Sequence, residues 1–420
     1  MSRAIRPRPG TCSAGVDFAD GLPLMLKILI STTVRWPSAA RLAGAFAESG
    51  CAVDALFPES HPLAASRYPS GRHLYRPLRP LHSLSRAIET SKPDLVIVCD
   101  DRAVTHLLML HSKALDEADF AVRDLIRRSL GAPQHYAQLA SRAGFIAAAR
   151  EAGITAPETF AVKTERDLEA ALAETGLPAV LKLDASWGGD GVIVTGTVQE
   201  AKAAWRGLAR KPSRLRSLAR AARRGDAHHL LAMLDRQPPS VSLQRHVAGR
   251  PATTSFACWQ GEVIAANHFD VLVTSGARGP ASVVKRIDDP DMERSARKLA
   301  KRFGLSGLHG LDYVRDAAGT AHLIEINPRA TQTGHLAFED GNLAAALVAR
   351  AANTPGTDRP AGLTGNLVAL FPQEWTRDRA SPWLTAAQHD VPWDDPRVID
   401  ACLASQAAAP KSRAAILNGR

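Results

Sequence analysis

Two short segments in the C-terminal half of the chain constrain its fold more than any other feature. Residues 309–314 (HGLDYV) and 323–329 (LIEINPR) alternate polar and apolar side chains in the manner of half-buried strands. The polar, glycine-containing stretch 316–320 between them is typical of a tight turn. The sequence therefore predicts a β-hairpin with one polar face.

The polar face of this hairpin brings two acids together. If residues 317–320 form the loop, Asp312 lies directly opposite Glu325, and Asn327 lies on the same face two residues further along. Like charges in that position repel, so the arrangement is expected to hold a cation. Two acids and an amide suit Mg²⁺ or Mn²⁺, and Mg²⁺ held by few protein oxygens usually takes its other ligands from phosphates and water. A hairpin with a solvated polar face explains the spacing equally well.

A second segment favours the metal–nucleotide interpretation. Residues 178–183 (PAVLKL) predict a buried strand that contains Lys182, and residues 192–194 (VIV) predict another. The loop between them contains Gly188, Gly189 and Gly191. Glycines let backbone N–H groups approach phosphate oxygens without interference from a Cβ, and a lysine can add a point charge. An ordinary tight turn is the competing explanation.

In this order, the two segments resemble the ATP-grasp superfamily, which includes biotin carboxylase, D-alanine ligase and the large subunit of carbamoyl phosphate synthetase. The resemblance extends from about residue 139 to residue 347, and back to residue 26 when a preceding α/β domain is included. It implies a phosphate-binding lysine and glycine loop, which correspond to Lys182, Gly188, Gly189 and Gly191. It also implies magnesium ligands at Asp312, Glu325 and Asn327, and an arginine, Arg329, that holds the transferred phosphate or the substrate.

The resemblance also implies an adenine-binding segment and one departure from the family pattern. Residues 243–249 (LQRHVAG) match the hinge of the family, so Gln244 and the backbone around Val247 are expected to contact adenine. Many relatives have a lysine at the start of the helix that precedes a Gly-Ile-x-x-Pro segment, and Arg142 stands there in this chain. A planar guanidinium replaces a compact ammonium, so we expect this ATP-binding contact to be altered or lost.

The predicted fold is α/β and α+β, with an N-terminal parallel-sheet (pre-ATP-grasp) domain followed by a two-lobed ATP-grasp domain. The N-terminal half alternates apolar strands and amphipathic helices from residue 26, which indicates a parallel sheet. The acidic pair that follows the strand ending at Cys99, Asp100 and Asp101, favours helix capping over a place in a substrate cleft. The predicted boundaries are a disordered or non-native extension over 1–24, the first domain over 25–115, the ATP-grasp domain over 116–355 and a C-terminal extension over 356–420.

The chain carries 52 Lys and Arg against 42 Asp and Glu, a net charge of +10, and many arginines fall in a predicted helical insertion at about 206–238. Such a segment could attract a polyanion, but no aromatic side chain interleaves with the arginines after Trp205, so a solvated helix is favoured and nucleic acid is not. No apolar run is long enough for a membrane span. The five cysteines show no metal-binding spacing, which is typical of reduced thiols in a cytoplasmic protein.

The predicted function is an ATP- and magnesium-dependent carbon–nitrogen ligase with small-molecule substrates. The resemblance implies that a carboxylate attacks the γ-phosphate and that an amine then displaces phosphate from the acyl phosphate. Secondary candidates for phosphate or substrate binding are Arg278, Lys285 and Arg286. Two alternatives stay open: activation of bicarbonate or a small acid, as in carbamoyl phosphate synthetase, and a nucleotide-binding interaction protein that docks through the basic insertion. The sequence identifies neither the acid nor the amine, and it leaves homo-oligomerisation open.

Overall fold

The computed structural model describes residues 25–113, 120–183, 191–210, 240–276, 279–355 and 362–407. For residues 405–407 it describes the backbone only. Five predicted features therefore lie outside the described residues: the N-terminal extension 1–24, Gly188, Gly189, Arg278, and residues 211–238 of the basic insertion.

The first unit is a four-stranded parallel sheet in the order β3-β2-β1-β4. Its strands are β1 (Lys27–Ser31), β2 (Ala52–Phe57), β3 (Gly71–Leu74) and β4 (Leu95–Val98). The helices that accompany it are α1 (Ser38–Glu48), α2 (Pro80–Ser91), α3 (Asp101–Lys113) and α4 (Phe120–Leu130). The parallel-sheet prediction is confirmed, and the carboxyl end of β4 leads directly into α3.

The second unit is a smaller antiparallel sheet in the order β5-β8-β6-β7. Its strands are β5 (Thr159–Val162), β6 (Ala179–Leu183), β7 (Val192–Thr195) and β8 (Val241–Arg245). The helices in this part of the chain are α5 (Tyr136–Ala140), α6 (Arg142–Glu151), α7 (Glu165–Thr175) and α8 (Val198–Ala209). Helices α7 and α8 cover one face of this sheet, and both contribute side chains to its apolar core.

The third unit is a seven-stranded sheet in the order β13-β12-β9-β10-β11-β14-β15. Its strands are β9 (Arg250–Trp259), β10 (Glu262–Thr274), β11 (Ala281–Ile287), β12 (Gly307–Arg315), β13 (Ala321–Asn327), β14 (Leu367–Ala369) and β15 (Gln388–His389). The helices in this part of the chain are α9 (Pro290–Phe303), α10 (Leu343–Ala352), α11 (Gln373–Arg377), α12 (Trp383–Ala386) and α13 (Pro396–Ala407). The C-terminal segment thus adds two strands to one edge of this sheet.

Helix α9 shows how local sequence sets an element on this sheet. The side chain of Asp289 accepts hydrogen bonds from the first-turn amides of Asp291 and Met292, a cap that typically contributes about 1 kcal/mol. Gly304, with a φ of +57°, ends the helix in the left-handed conformation. Between these caps, apolar side chains recur at helical spacing and are fully buried against β9 and β10. The larger ones, Met292, Leu299 and Phe303, each contribute about 1.5–3 kcal/mol.

The first and third units share one apolar core, and this fixes the position of β13 relative to β4. Side chains of β1 and α1 pack together with Leu308 of β12 and Leu347 of α10. The backbone N–H of Ala330, just after β13, donates to the carbonyl oxygen of Val98 at 3.0 Å. The carboxyl ends of β4 and β13 therefore lie side by side, and the polar residues that follow both strands meet there.

Candidate active site

The predicted hairpin is formed by β12 and β13, and it pairs the two acids as expected. Asp312 lies opposite Glu325 in the antiparallel register. The predicted loop is wrong by one residue, because Arg315 already pairs with Ala321 and the loop is 316–320. The register is restored by one extra residue in β13, Ile324, which has no opposite residue in β12. The bulge, rather than the loop length, brings the two carboxylates together.

Neighbouring polar side chains hold Asp312. The hydroxyl of Thr253, directly opposite on β9, donates to Oδ1 at 3.0 Å. The side-chain amide of Asn327 donates to Oδ2 at 2.8 Å. Because both carboxylate oxygens already accept a hydrogen bond, this side chain is held in one orientation.

Glu325 faces the start of α6. The hydroxyl of Ser141 caps this helix by accepting from the backbone N–H of Gly144 at 3.2 Å. Arg142 follows the cap, and its Nη2 donates to Oε1 of Glu325 at 2.8 Å. The Arg142 side chain is 8% exposed and that of Glu325 is 29% exposed. The departure from lysine therefore places a planar guanidinium directly against a predicted metal ligand.

The electrostatic surroundings of Glu325 favour a cation. Burial raises the pKa of Glu325, and the charges of Asp312 and Asp101 raise it further. Arg142 and Lys182 act in the opposite direction but do not outweigh these effects. A glutamate whose ionised form is disfavoured by its surroundings is one that a divalent cation would stabilise.

Arg329 forms hydrogen bonds with residues of both the first unit and the third unit. Its Nε donates to Oδ1 of Asp101 at 3.0 Å, and its Nη2 donates to Oδ1 of Asn327 at 3.0 Å. Burial alone would lower the pKa of Arg329, but Asp101 above all raises it, so the guanidinium stays charged. The arginine is thereby fixed next to Asn327, which itself contacts the carboxylate of Asp312.

The two acids after β4, Asp100 and Asp101, have different roles, and the sequence predicted only the role of Asp100. Asp100 accepts from the backbone N–H groups of Thr33 at 2.6 Å and Ala103 at 2.9 Å, so it caps α3 as expected. Asp101 instead pairs with Arg329. The available signal was an acid at the carboxyl end of a parallel strand, where ligand clefts form.

Lys182 and the glycine loop lie on the smaller sheet. Strands β6 and β7 pair antiparallel, with Lys182 opposite Val192. The loop closes through a hydrogen bond from the Leu183 N–H to the Gly191 carbonyl at 2.9 Å, and Gly191 has a φ of +86°, which favours glycine. Lys182 is 5% exposed and close enough to Glu325 for its charge to lower the pKa of that group.

The predicted adenine hinge connects the smaller sheet to the larger one. The buried side chain of Gln244 donates to the hydroxyl of Thr159 at 2.9 Å, and its amide nitrogen is 3.5 Å from the carbonyl oxygen of Ile324. Val247 is half-buried in the segment between β8 and β9. At Gly249 a Cβ would lie 2.1 Å from the carbonyl oxygen of Arg315, so this close approach requires glycine. Contact of this hinge with adenine stays a prediction.

The structure does not bring two of the secondary candidates, Lys285 and Arg286, to this group. Strand β11, which carries Lys285 and Arg286, lies three strands from β12 in the sheet. Arg286 pairs with Asp340 at 2.6 Å and stacks over the ring of Phe338, and Lys285 is exposed. Their roles in phosphate or substrate binding stay predictions.

The donor set fits magnesium better than a transition metal. Within the described ranges, no group of three or more His, Cys, Asp or Glu side chains could hold a metal ion. Asp312 and Glu325 supply two carboxylates, and Asn327 supplies an amide whose oxygen faces Arg329. One or two carboxylates are what Mg²⁺ typically takes from a protein when phosphates complete its coordination. No helix in the described part of the chain is long and apolar enough to cross a membrane.

A family model matches part of the sequence. Residues 223–333 match the model described as "ATP-grasp domain", a range that includes the hinge and the β12–β13 hairpin. No curated protein matches the sequence.

Solved structures match over most of the chain. An N5-carboxyaminoimidazole ribonucleotide synthetase in complex with ADP is 17% identical, with 81% of this chain and 80% of that chain covered and a TM-score of 0.54. The corresponding enzyme from Thermus thermophilus is 15% identical, with 80% and 81% covered and a TM-score of 0.56. Biotin carboxylase from Campylobacter jejuni is 15% identical, with 80% and 72% covered and a TM-score of 0.56. At these identities the similarity shows a shared fold.

Proposed function

We propose that this chain, which carries an ATP-grasp domain, is an ATP- and magnesium-dependent ligase that joins a carboxylate to an amine through an acyl phosphate. One observation carries the proposal: Asp312 and Glu325 lie opposite each other on β12 and β13. Arg142 forms an ion pair with Glu325, and Lys182 and Arg329 lie around the two acids. Phosphoryl transfer to a carboxylate needs negative charges neutralised and aligned, and this set of residues can do both.

A metal ion would be held by Asp312, Glu325 and Asn327, and it would neutralise and orient the phosphates of ATP. Lys182 and Arg142 would add positive charge on the side of the smaller sheet, and the glycine loop that ends at Gly191 would bring backbone N–H groups to the phosphates.

Arg329 would position the carboxylate that accepts the phosphoryl group. Its guanidinium is kept charged by Asp101 and oriented by Asn327, so it is preorganised before substrate arrives. A carboxylate oxygen then bonds to the γ-phosphorus and ADP leaves. The amine nitrogen next bonds to the acyl carbon, phosphate leaves, and the nitrogen loses a proton.

Similar structures hold a nucleotide and a small molecule on this fold. An N5-carboxyaminoimidazole synthase from Aspergillus clavatus is described in complex with ADP and 5-aminoimidazole ribonucleotide. A biotin carboxylase domain from Hydrogenobacter thermophilus is described with MgADP and bicarbonate. The second description favours bicarbonate activation as the second candidate function.

A phosphate-release assay would test the proposal. Purified protein would be given ATP and Mg²⁺ with a panel of carboxylic acids and amines, and products would be identified by mass spectrometry. An acid labelled with ¹⁸O should pass one label to the released phosphate, because the carboxylate oxygen that attacks phosphorus leaves with it. The Asp312→Asn protein is the matched control and should release no phosphate above background.

A parallel reaction with labelled bicarbonate separates the two candidates. Label in the product with bicarbonate alone, and no ¹⁸O transfer from organic acids, would replace the ligase assignment with bicarbonate activation. Tight ATP binding without ADP formation in either panel would contradict both.

A further inference from the structure

A cavity of about 130 Å³ lies beside the candidate site, where helices α3 to α6 meet the end of β13. Most of its wall is apolar. The apolar side chains that line it include Val104, Leu108, Leu130, Leu139, Phe145 and Ile326.

One end of this cavity belongs to the candidate site. Asp101, Arg142 and Glu325 line it as well. Asp101 pairs with Arg329, and Arg142 pairs with Glu325. A molecule in the cavity would therefore place an apolar group among the helices and a polar group against the residues proposed to carry the reaction.

Two of the other polar side chains that line the cavity have their hydroxyl hydrogens engaged. The hydroxyl of Tyr136 donates to the carbonyl oxygen of Gly131 at 2.9 Å. The hydroxyl of Thr105 donates to the carbonyl oxygen of Asp101 at 3.0 Å, within α3. Neither hydroxyl hydrogen is left for a ligand.

His309 differs from them. Its Nε2 lies 2.7 Å from the carbonyl oxygen of Ser306, so Nε2 carries the hydrogen and Nδ1 is an acceptor. Nδ1 is buried and has no hydrogen-bond partner within the described part of the chain. Burial lowers the pKa of His309 to about 4, so the ring is neutral near pH 7. An unsatisfied buried acceptor typically costs about 1–3 kcal/mol, which a donor on a ligand would recover.

The volume limits the occupant. An apolar protein cavity of about 150 Å³ can stay dry and bind benzene. At about 130 Å³ this cavity accommodates one small ring or a branched aliphatic group of similar size.

We propose that this cavity binds the apolar side chain of one of the two substrates, a ring or branched group of about the size of benzene that carries one hydrogen-bond donor for His309. The reactive carboxylate or amine of that substrate then lies at the end formed by Asp101, Arg142 and Glu325. This inference rests on the proposed ligase function, and it narrows the substrates to compounds with a compact, largely apolar side chain.

Phenol and toluene serve as probes, because they share a ring and differ in one donor. Binding to the full chain would be measured by calorimetry and ligand-observed NMR. We expect phenol to bind about five- to tenfold more tightly than toluene, the effect of one neutral hydrogen bond. In the His309→Gln protein, whose amide nitrogen can still donate to Ser306, this preference should disappear. Equal binding of the two probes to the unmodified protein, or binding of neither, would overturn the inference.

Two variants that fill the cavity, and one control variant, would show whether phenol binds in the cavity. Leu108→Trp on α3 and Leu139→Trp on α5 should each weaken phenol binding at least tenfold, and using both guards against misfolding of one. Met109→Trp is the control, since Met109 is 47% exposed on the same helix and does not line the cavity. Phenol binding unchanged in both filling variants, with cooperative unfolding retained, would contradict the proposed pocket.

Turnover separates this inference from the ligase assignment. Acids and amines graded in side-chain size, from alanine through leucine to phenylalanine and tyrosine, would be tested for ATP-dependent phosphate release. We expect the best substrate to carry one of the larger side chains. If Leu108→Trp raises the KM for that substrate and leaves the KM for ATP unchanged, the result supports both the pocket and the ligase function. Turnover that is insensitive to Leu108→Trp overturns the pocket and leaves the ligase standing. Phenol binding that is lost in Leu108→Trp, in a protein without turnover, contradicts the ligase and with it the substrate role of the pocket.

Discussion

Glu325 lies in surroundings that oppose its own charge. Because burial and two neighbouring carboxylates raise its pKa in the folded protein, the ionised form costs stability. That cost is absent below the ordinary pKa of glutamate, grows as pH rises above it, and is complete once pH exceeds the folded pKa. A bound metal ion would remove it.

The substitution Glu325→Gln separates stability from activity. Without metal, the variant should have a higher free energy of unfolding than the unmodified protein at about pH 7.5, and no advantage below about pH 4. Its magnesium-dependent turnover should fall by about 10²–10³-fold, as when a preorganised charged group is lost. Urea unfolding across this pH range and an ADP-release assay measure both. Turnover near the unmodified rate would exclude Glu325 as a metal ligand.

Lys182 is expected to contact the phosphates of ATP. Lys182→Ala removes one charge-assisted contact to phosphate, so calorimetry should show an ATP affinity lower by about 1.5–3 kcal/mol, or roughly 10- to 150-fold. Lys163→Ala is the matched control, because Lys163 is exposed near the start of α7. Equal ATP affinity in the two variants would remove Lys182 from the phosphate site.

At the scale of elements, the β6–β7 hairpin carries the next prediction. Gly191→Val introduces a β-branched side chain at a φ of +86°, where L-residues are strained by about 1–3 kcal/mol. Gly50, just after α1, has the same φ of +86° and open space around it. We expect Gly191→Val and Gly50→Val to lose similar stability, but only Gly191→Val to need a higher ATP concentration for half-maximal turnover.

Thermal unfolding and ATP titration of both glycine variants provide the measurement. If ATP affinity is unchanged in Gly191→Val, the loop is a turn without a role in binding. If it falls equally in both variants, the effect comes from lost stability and not from the loop.

At the scale of the whole molecule, one buried cluster ties distant segments together. Arg41 of α1 donates to Asp390 at 2.7 Å, and His335, in the loop after β13, lies 2.8 Å from the same carboxylate. Burial alone would raise the pKa of Asp390, but Arg41 and His335 outweigh it and hold this pKa below its ordinary value. The stability from this carboxylate is therefore present above the ordinary aspartate pKa and is lost as pH falls through the folded pKa.

Replacement of Asp390 should destabilise the whole chain. Asp390→Asn leaves the positive charge of Arg41 in a buried position without its partner, so the free energy of unfolding at about pH 7 should fall by about 3–5 kcal/mol. The difference from the unmodified protein should shrink in acid. Glu262→Gln, which breaks an exposed pair with Arg350, should leave denaturant unfolding nearly unchanged. Equal effects of the two substitutions would mean that the buried cluster does not join the units.

The sequence by itself determined the features that depend on local periodicity. Alternation in 309–314 and 323–329 predicted the hairpin and placed Asp312 and Glu325 on its polar face, because side chains on a strand repeat every two residues. Helix and strand patterns likewise predicted the parallel sheet that precedes it. The bulge at Ile324 was not predicted, since a single extra residue leaves no mark on the polar pattern.

The tertiary structure decided which distant charges meet. Arg142 reaches Glu325 from 183 residues away and Asp101 reaches Arg329 from 228 residues away, and no local pattern links either pair. Both contacts follow from the shared core that packs β4 beside β13 and from the packing of α6 on β13. The cavity with His309 has the same origin, because its walls come from separate helices whose side chains read in sequence as ordinary core.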